Sequence, residues 1–119
     1  LYICHYASSH VIGTTGGTTE DLKEAFRLAA EGKIRPAVMV THVGGMDSIV
    51  ETTKNLPNIP GWKKLTYTQF DMPLTAIEDF REKGRTDPLF ARLADCCDAH
   101  DGLWNAEAEK ILFRHFHVI

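Results

Sequence analysis

The chain is poor in the features that mark several large classes of protein. No apolar run approaches the roughly 20 residues that cross a bilayer, and the start, residues 1–6, lacks the charged region and long apolar stretch of a secretory signal. Basic excess is also missing: 13 Lys and Arg stand against 16 Asp and Glu, for a formal net charge of -3 and a pI near 6.0. Neutralising a phosphate backbone takes a basic face, so the composition argues against a nucleic-acid partner. Cysteine is scarce: Cys4, Cys96 and Cys97 make an odd number without framework spacing. The adjacent pair is poorly placed to bridge to itself, and reduced, buried thiols are the expectation. Together these absences describe a cytoplasmic protein.

The machinery of common active sites is equally thin. There is no Walker loop, no G-x-G-x-x-G and no G-x-S-x-G elbow, and Ser8, Ser9 and Ser48 sit in ordinary contexts. Six histidines, His5, His10, His42, His100, His115 and His117, are scattered without His-x-x-x-His spacing, and no Cys-x-x-Cys occurs. Catalytic zinc needs Cys, His and carboxylate ligands converging around an open position, so no metal ligand is assigned. Carboxylates are interleaved with cations, as in Glu78, Asp79, Arg81, Glu82 and Lys83, which is the pattern of a solvated helix face.

What is present is enough for one core: 119 residues at 44% hydrophobic content. Residues 1–6 and 11–14 carry β-prone runs and read as two strands. A turn, Gly13-Thr14-Thr15-Gly16-Gly17, then leads into Thr18 or Thr19 as a helix cap, with Asp21 three residues after Thr18. Leu22, Ala25, Phe26 and Ala29 form one stripe of a helix over 20–31 that Gly32 stops. The run 37–40 after Pro36 suits a buried strand or an extended connection. Met46, Ile49, Val50 and Thr53 are spaced for a second helix closed by Pro57, a turn covers 58–61, and the alternation over 63–70 predicts the last strand. From Asp71 the pattern turns helical. Leu74, Ile77 and Phe80 share a face up to Gly84, Asp87-Pro88 opens a helix carrying Leu89, Phe90, Leu93, Ala94 and Cys97, and Asn105 caps a final helix bearing Ala108, Ile111, Leu112 and His115. The class is α/β with a helical extension. The glycine turn is the best candidate for contact with a ligand, because glycines let backbone approach it and helix N-termini attract anions. Glu20 and Asp21 already satisfy that helix end and would repel a phosphate.

The stretch V-I-G-T-T-G-G-T-T-E-D-L-K-E-A-F-R-L-A-A-E-G-K-I-R-P followed by V-T-H-V-G-G-M-D-S-I-V-E-T-T resembles the distal half of the medium-chain, zinc-type alcohol dehydrogenase superfamily. Gly32, Lys33, Ile34 and Pro36, then Thr41 and His42, carry that likeness. The segments N-L-P-N-I-P-G-W-K-K-L-T-Y-T, D-M-P-L-T-A-I-E-D-F, T-D-P-L-F and G-L-W-N-A-E-A-E-K are similar to its L-sorbose 1-phosphate reductase-like branch of polyol and sugar-phosphate dehydrogenases. The resemblance implies the C-terminal portion of a Rossmann-like coenzyme domain (1–57), then a return strand and C-terminal helical extension (58–119). It implies NAD or NADP and zinc in a full-length parent, and neither bound tightly by this chain alone. Gly13, Thr14, Thr15, Gly16 and Gly17 would lie near the nicotinamide side of the cleft, and residues 1–6 near a subunit interface, which implies a dimer or larger homo-oligomer. The catalytic domain and the glycine fingerprint for the pyrophosphate are what the chain lacks, so it is expected to be inactive alone, and Leu1 in place of methionine fits a chain starting in mid-fold. Two other readings stay open: a free-standing, non-catalytic α/β interaction or small-ligand module, and a metal- or thiol-dependent enzyme using Cys96, Cys97 and the histidines.

Overall fold

The computed structural model describes residues 15–119, and the two strands expected over 1–6 and 11–14 lie outside the described residues. The chain divides into two compact units, Leu1–Ile34 and Arg35–Ile119. In the first, helix α1 spans Thr19–Ala30, as the stripe predicts. Thr18 is its cap, and the reciprocal bonds of a capping box are formed: Asp21 N donates to Thr18 Oγ1 at 3.3 Å, and Thr18 N donates to the Asp21 carboxylate at 2.6 Å. Gly32 follows with φ +70, the left-handed residue that ends helices without a Cβ penalty. The stripe itself is uncovered, since Leu22 and Phe26 remain 62% and 75% exposed.

The second unit is α/β. Among its described residues a mixed sheet of order β2-β1-β3 is built from β1 (Val40–Gly44), β2 (Lys63–Thr66) and β3 (Thr75–Ala76). β1 runs parallel to β2 and antiparallel to β3. Helix α2 (Ile49–Asn55) connects β1 to β2, and α3 (Phe80–Lys83), α4 (Pro88–Asp98) and α5 (Ala106–His115) follow the sheet. Four expectations need correction. The run 37–40 is not a strand: Pro36–Met39 forms a 3-10 turn, because Pro36 fixes φ at a helical value and Val38 N bonds back to Arg35 O at 3.2 Å. The strand begins only at Val40.

The strand expected over 63–70 ends at Thr66 and is not the last. Beyond it the backbone keeps a sheet-like exchange with β1's far end. Gly45 N donates to Met72 O at 2.7 Å and Met46 N to Phe70 O at 2.8 Å, while Asp47 Oδ1 accepts from Met72 N at 2.9 Å. These bonds tie 70–72 to the residues after β1, so helix does not start at Asp71; it starts with a 3-10 turn at Ile77–Asp79. The seam closes because Gly45 has no Cβ: one would collide with Met72 N and lie 2.5 Å from Phe70 O. The helix after Gly45 does form, from a 3-10 turn at Met46–Ser48 through α2 to a 3-10 turn at Leu56–Asn58. Its expected apolar face is inverted, however: Met46 and Val50 are exposed and Thr52 is buried.

The last helices follow their caps. Asp87 Oδ1 accepts from Leu89 N at 2.9 Å with Pro88 in the first turn of α4, and Asn105 Oδ1 accepts from Glu107 N and Ala108 N at 3.0 and 2.9 Å at the start of α5. Leu89, Leu93, Ala94 and Cys97 of α4 and Ala108 and Leu112 of α5 are buried against Val43 and Phe80. A fully buried Leu stabilises the fold by about 1.5–3 kcal/mol. An aromatic group extends this core, with Phe70 and Phe116 stacked at 4.2 Å and Tyr67 meeting Phe113 edge-on at 5.1 Å. Inside it Trp104 Nε1 donates to Tyr67 Oη at 3.1 Å, and Tyr67 Oη donates to the Glu109 carboxylate. Burial first, and the bond to Glu109 second, push the Tyr67 hydroxyl well above its usual range, so it stays a donor within the core.

Candidate functional site

Of the glycine turn, Gly13 and Thr14 lie outside the described residues, and Thr15, Gly16 and Gly17 form an exposed, irregular approach to α1. Gly16 has φ +74 with nothing within 4 Å of where a Cβ would stand, so its backbone is open to a ligand. The helix end behind it is already occupied. Asp21 takes bonds from both Thr18 N and Thr18 Oγ1, and these hold its carboxyl below the usual aspartate range. A phosphate placed here would face this carboxylate and Glu20. The turn is therefore unfit as a pyrophosphate cradle, and its open backbone suits only an uncharged part of a ligand.

The second unit holds a different arrangement, centred on His42 in the middle strand. The register of β1 against β2 pairs Val40 with Lys63 and His42 with Lys64, so Thr41 is the extra residue of a β-bulge. Bulges re-aim side chains, and here the loop before β2 is pressed against the bulge. Gly61, at φ +81, leaves room for Thr41: a Cβ there would lie 2.5 Å from Thr41 Oγ1. The Thr41 hydroxyl donates to Lys63 O at 3.3 Å and lies 3.0 Å from His42 Nδ1. A hydroxyl has one proton to give; when Thr41 gives it to Lys63 O, Nδ1–H donates to Thr41 and Nε2 keeps the lone pair. Burial first, then Lys64, lowers the His42 pKa, with Glu78 and Asp79 pulling weakly the other way. These surroundings favour the neutral imidazole at His42.

It lines two clefts. One, of about 550 Å³, is bounded also by Thr41, Gly61, Glu78, Arg81 and Asp98; the other, of about 560 Å³, by Asp47, Ser48, Glu51 and Asp79. Both are rich in carboxylates, and the cation nearest the first is already engaged, since Arg81 bridges Asp95 at 2.7 Å and also Asp98. Neither cleft offers a free receptor for an anion. A neutral imidazole beside carboxylates can accept a hydrogen bond from a hydroxyl or relay a proton. The burial of His42 was not readable from the sequence, where Thr41 and His42 stood out only through the family resemblance.

The cysteines are poor nucleophiles. Burial pushes the Cys97 thiol up to about 11 and raises that of the half-buried Cys96, whereas reactive cysteines have lowered values. Both are free thiols, as expected, and Cys4 lies outside the described residues. Of the histidines, His5 and His10 also lie outside them; His115 is exposed on α5 and His117 is exposed beyond it. Among the described residues the structure makes a grouping not expected from the sequence: Cys96, His100 and Glu107 bring ligand atoms within 4.8 Å of one another. Cys96 and His100 are four apart at the end of α4, a legible helical spacing; Glu107 joins them through the reversal at Asp101 and Gly102, both at positive φ.

Comparison with known proteins places nearly all of the chain inside longer ones. It is 56% identical over 118 residues to the uncharacterized protein YggP of Escherichia coli. It is 43% identical over 118 residues to mannitol-1-phosphate 5-dehydrogenase of Aliivibrio fischeri, and 40% identical over 115 residues to L-sorbose 1-phosphate reductase of Klebsiella pneumoniae. These matches span 97–99% of this chain but only 26–28% of the relatives' own length. No family model and no solved structure matches. No described helix is long and apolar enough to cross a membrane. The chain is thus homologous to about a quarter of two sugar- and polyol-phosphate oxidoreductases.

Proposed function

We propose that this chain is the C-terminal part of an NAD(P)-dependent oxidoreductase acting on a polyol, sugar or sugar phosphate, of the medium-chain, zinc-type kind. The observation that carries the reading is the end-to-end alignment, at 40 and 43% identity, with an L-sorbose 1-phosphate reductase and a mannitol-1-phosphate 5-dehydrogenase. In this reading residues 1–57 are the distal part of a Rossmann-like coenzyme domain, and 58–119 are the return strand and helical extension. Coenzyme phosphates are bound by upstream segments, consistent with the acidic first turn of α1. Gly13, Thr14, Thr15, Gly16 and Gly17 border the nicotinamide, which supplies or takes the hydride. The catalytic zinc is held outside this chain, the protein works in the cytoplasm, and the subunits associate as a dimer or larger homo-oligomer.

The test uses the full-length protein. It is mixed with NAD or NADP and mannitol 1-phosphate, or with NADH or NADPH and L-sorbose 1-phosphate, and the reduced nicotinamide is followed by absorbance. Turnover with a polyol or sugar phosphate is the expected result, and none by residues 1–119 alone. Absence of turnover across both substrates and both coenzymes would overturn the substrate class. Turnover by the 119 residues alone would overturn the division of labour.

A further inference from the structure

The corner between α4 and α5 places three side chains of metal-binding type around one point. Cys96 is in the last turn of α4, His100 lies two residues past its end, and Glu107 is in the first turn of α5. His100 Nδ1 is 2.8 Å from Cys96 O, a position in which it donates to the carbonyl, and its other nitrogen, Nε2, then presents a lone pair to Glu107 Oε2 at 4.0 Å. Histidines that bind metals commonly give the non-coordinating N–H to a backbone carbonyl, which fixes both tautomer and ring direction. Across 4.0 Å the two are too far apart for a hydrogen bond, and the gap between them is one that a cation held by both would fill. Cys96 Sγ completes the group, all three ligand atoms lying within 4.8 Å of one another.

We propose that Cys96, His100 and Glu107 form a site for a zinc-class divalent transition metal that clips the end of α4 to the start of α5. A thiolate, an imidazole and a carboxylate are the donor set such ions take, with a fourth position for water. Tetrahedral zinc asks for N-to-O and S-to-N separations of about 3.4–3.6 Å, given its usual bond lengths. Closing 4.8 Å to that span moves side chains by roughly an ångström, which Glu107 can do because its side chain is 70% exposed. On binding, Cys96 releases its thiol proton to solvent and gives up its bond to Asn105 Oδ1, now 3.4 Å. Asn105 Oδ1 keeps the two backbone donors of the α5 cap, Glu107 N and Ala108 N. The site is separate from any catalytic zinc held upstream and does not depend on the proposed reaction.

The experiment compares the full-length protein with Cys96→Ser, His100→Gln and Glu107→Gln variants, each stripped with chelator and reloaded with Co²⁺ and, separately, Zn²⁺. The wild type is expected to bind one more equivalent of metal than Cys96→Ser. It should also show a thiolate-to-cobalt charge-transfer band that disappears in Cys96→Ser and weakens at least tenfold in cobalt affinity in the other two. Glu107→Gln, on an exposed side chain, keeps the fold intact. Equal stoichiometry in wild type and Cys96→Ser overturns the proposal. So does a charge-transfer band of unchanged affinity in both His100→Gln and Glu107→Gln, which would mean the cysteines alone hold the metal.

Discussion

Helices α1 and α4 are nearly the same length, both amphipathic and both well capped, yet they end differently. α4 buries Leu89, Leu93, Ala94 and Cys97, whereas no residue of α1 is buried and its stability comes from its cap and from pairs such as Glu20 with Lys23 and Glu24 with Arg27. Exposed pairs of that kind are screened by solvent and add little to stability. Periodicity therefore announces that a face exists; it says nothing of whether the chain that carries the face also covers it. In the dehydrogenase reading, the Leu22 and Phe26 stripe is covered by the rest of the coenzyme domain.

The sharpest way to break this contrast is to truncate both faces. Leu93→Ala should lower unfolding free energy by about 2–5 kcal/mol in urea titrations, while Phe26→Ala in the same 119 residues should stay within about 0.5 kcal/mol. Equal losses would mean that α1 is packed after all. Next come the glycines. Gly61→Ala combines a positive φ with a collision at Thr41 and should cost about 1–3 kcal/mol, more than Gly16→Ala, which meets the same strain in open space. Parity between the two would place the cost in φ alone. Removing caps should give Asp87→Ala a loss of about 1 kcal/mol in the cooperative transition, whereas Thr18→Ala should only fray α1, read as faster amide exchange over Thr19–Ala30.

The smallest effect is in pH. His42 has a folded pKa below 6.5, so the unfolded chain binds the proton first, and stability should fall as pH drops from about 6.5 toward the folded value. His42→Gln should flatten that slope in thermal melts at successive pH values. Asp21 has a folded pKa below 3.8, so its cap should persist until much lower pH. Loss of α1 helicity at pH 6 would reverse that order.

What was legible in the sequence follows from how local each determinant is. Thr18 with Asp21, Asp87 with Pro88, and Asn105 act on residues within one turn, and each marked its helix correctly. The end of β2 at Thr66, the short β3 and the delayed start of the helix after it were not legible. They depend on Gly45 and Met46 reaching 70–72, some 25 residues away. The same holds for the sites: the Cys96 and His100 spacing is visible along one helix, but Glu107 and the buried state of His42 appear only when distant segments meet. Behind the glycine segment, the carboxylates of Glu20 and Asp21 already argued against phosphate in the sequence.

The seam at Gly45 also bears on how the chain would survive cleavage. Two stretches separated by some 25 residues are tied by reciprocal backbone and Asp47 bonds, while the segment around Trp62 between them is exposed. A protease nick near Trp62 would sever the covalent thread and leave that clasp in place, so the pieces would stay associated until denaturant parted them. Connectivity and cohesion in this part of the molecule are carried by different residues.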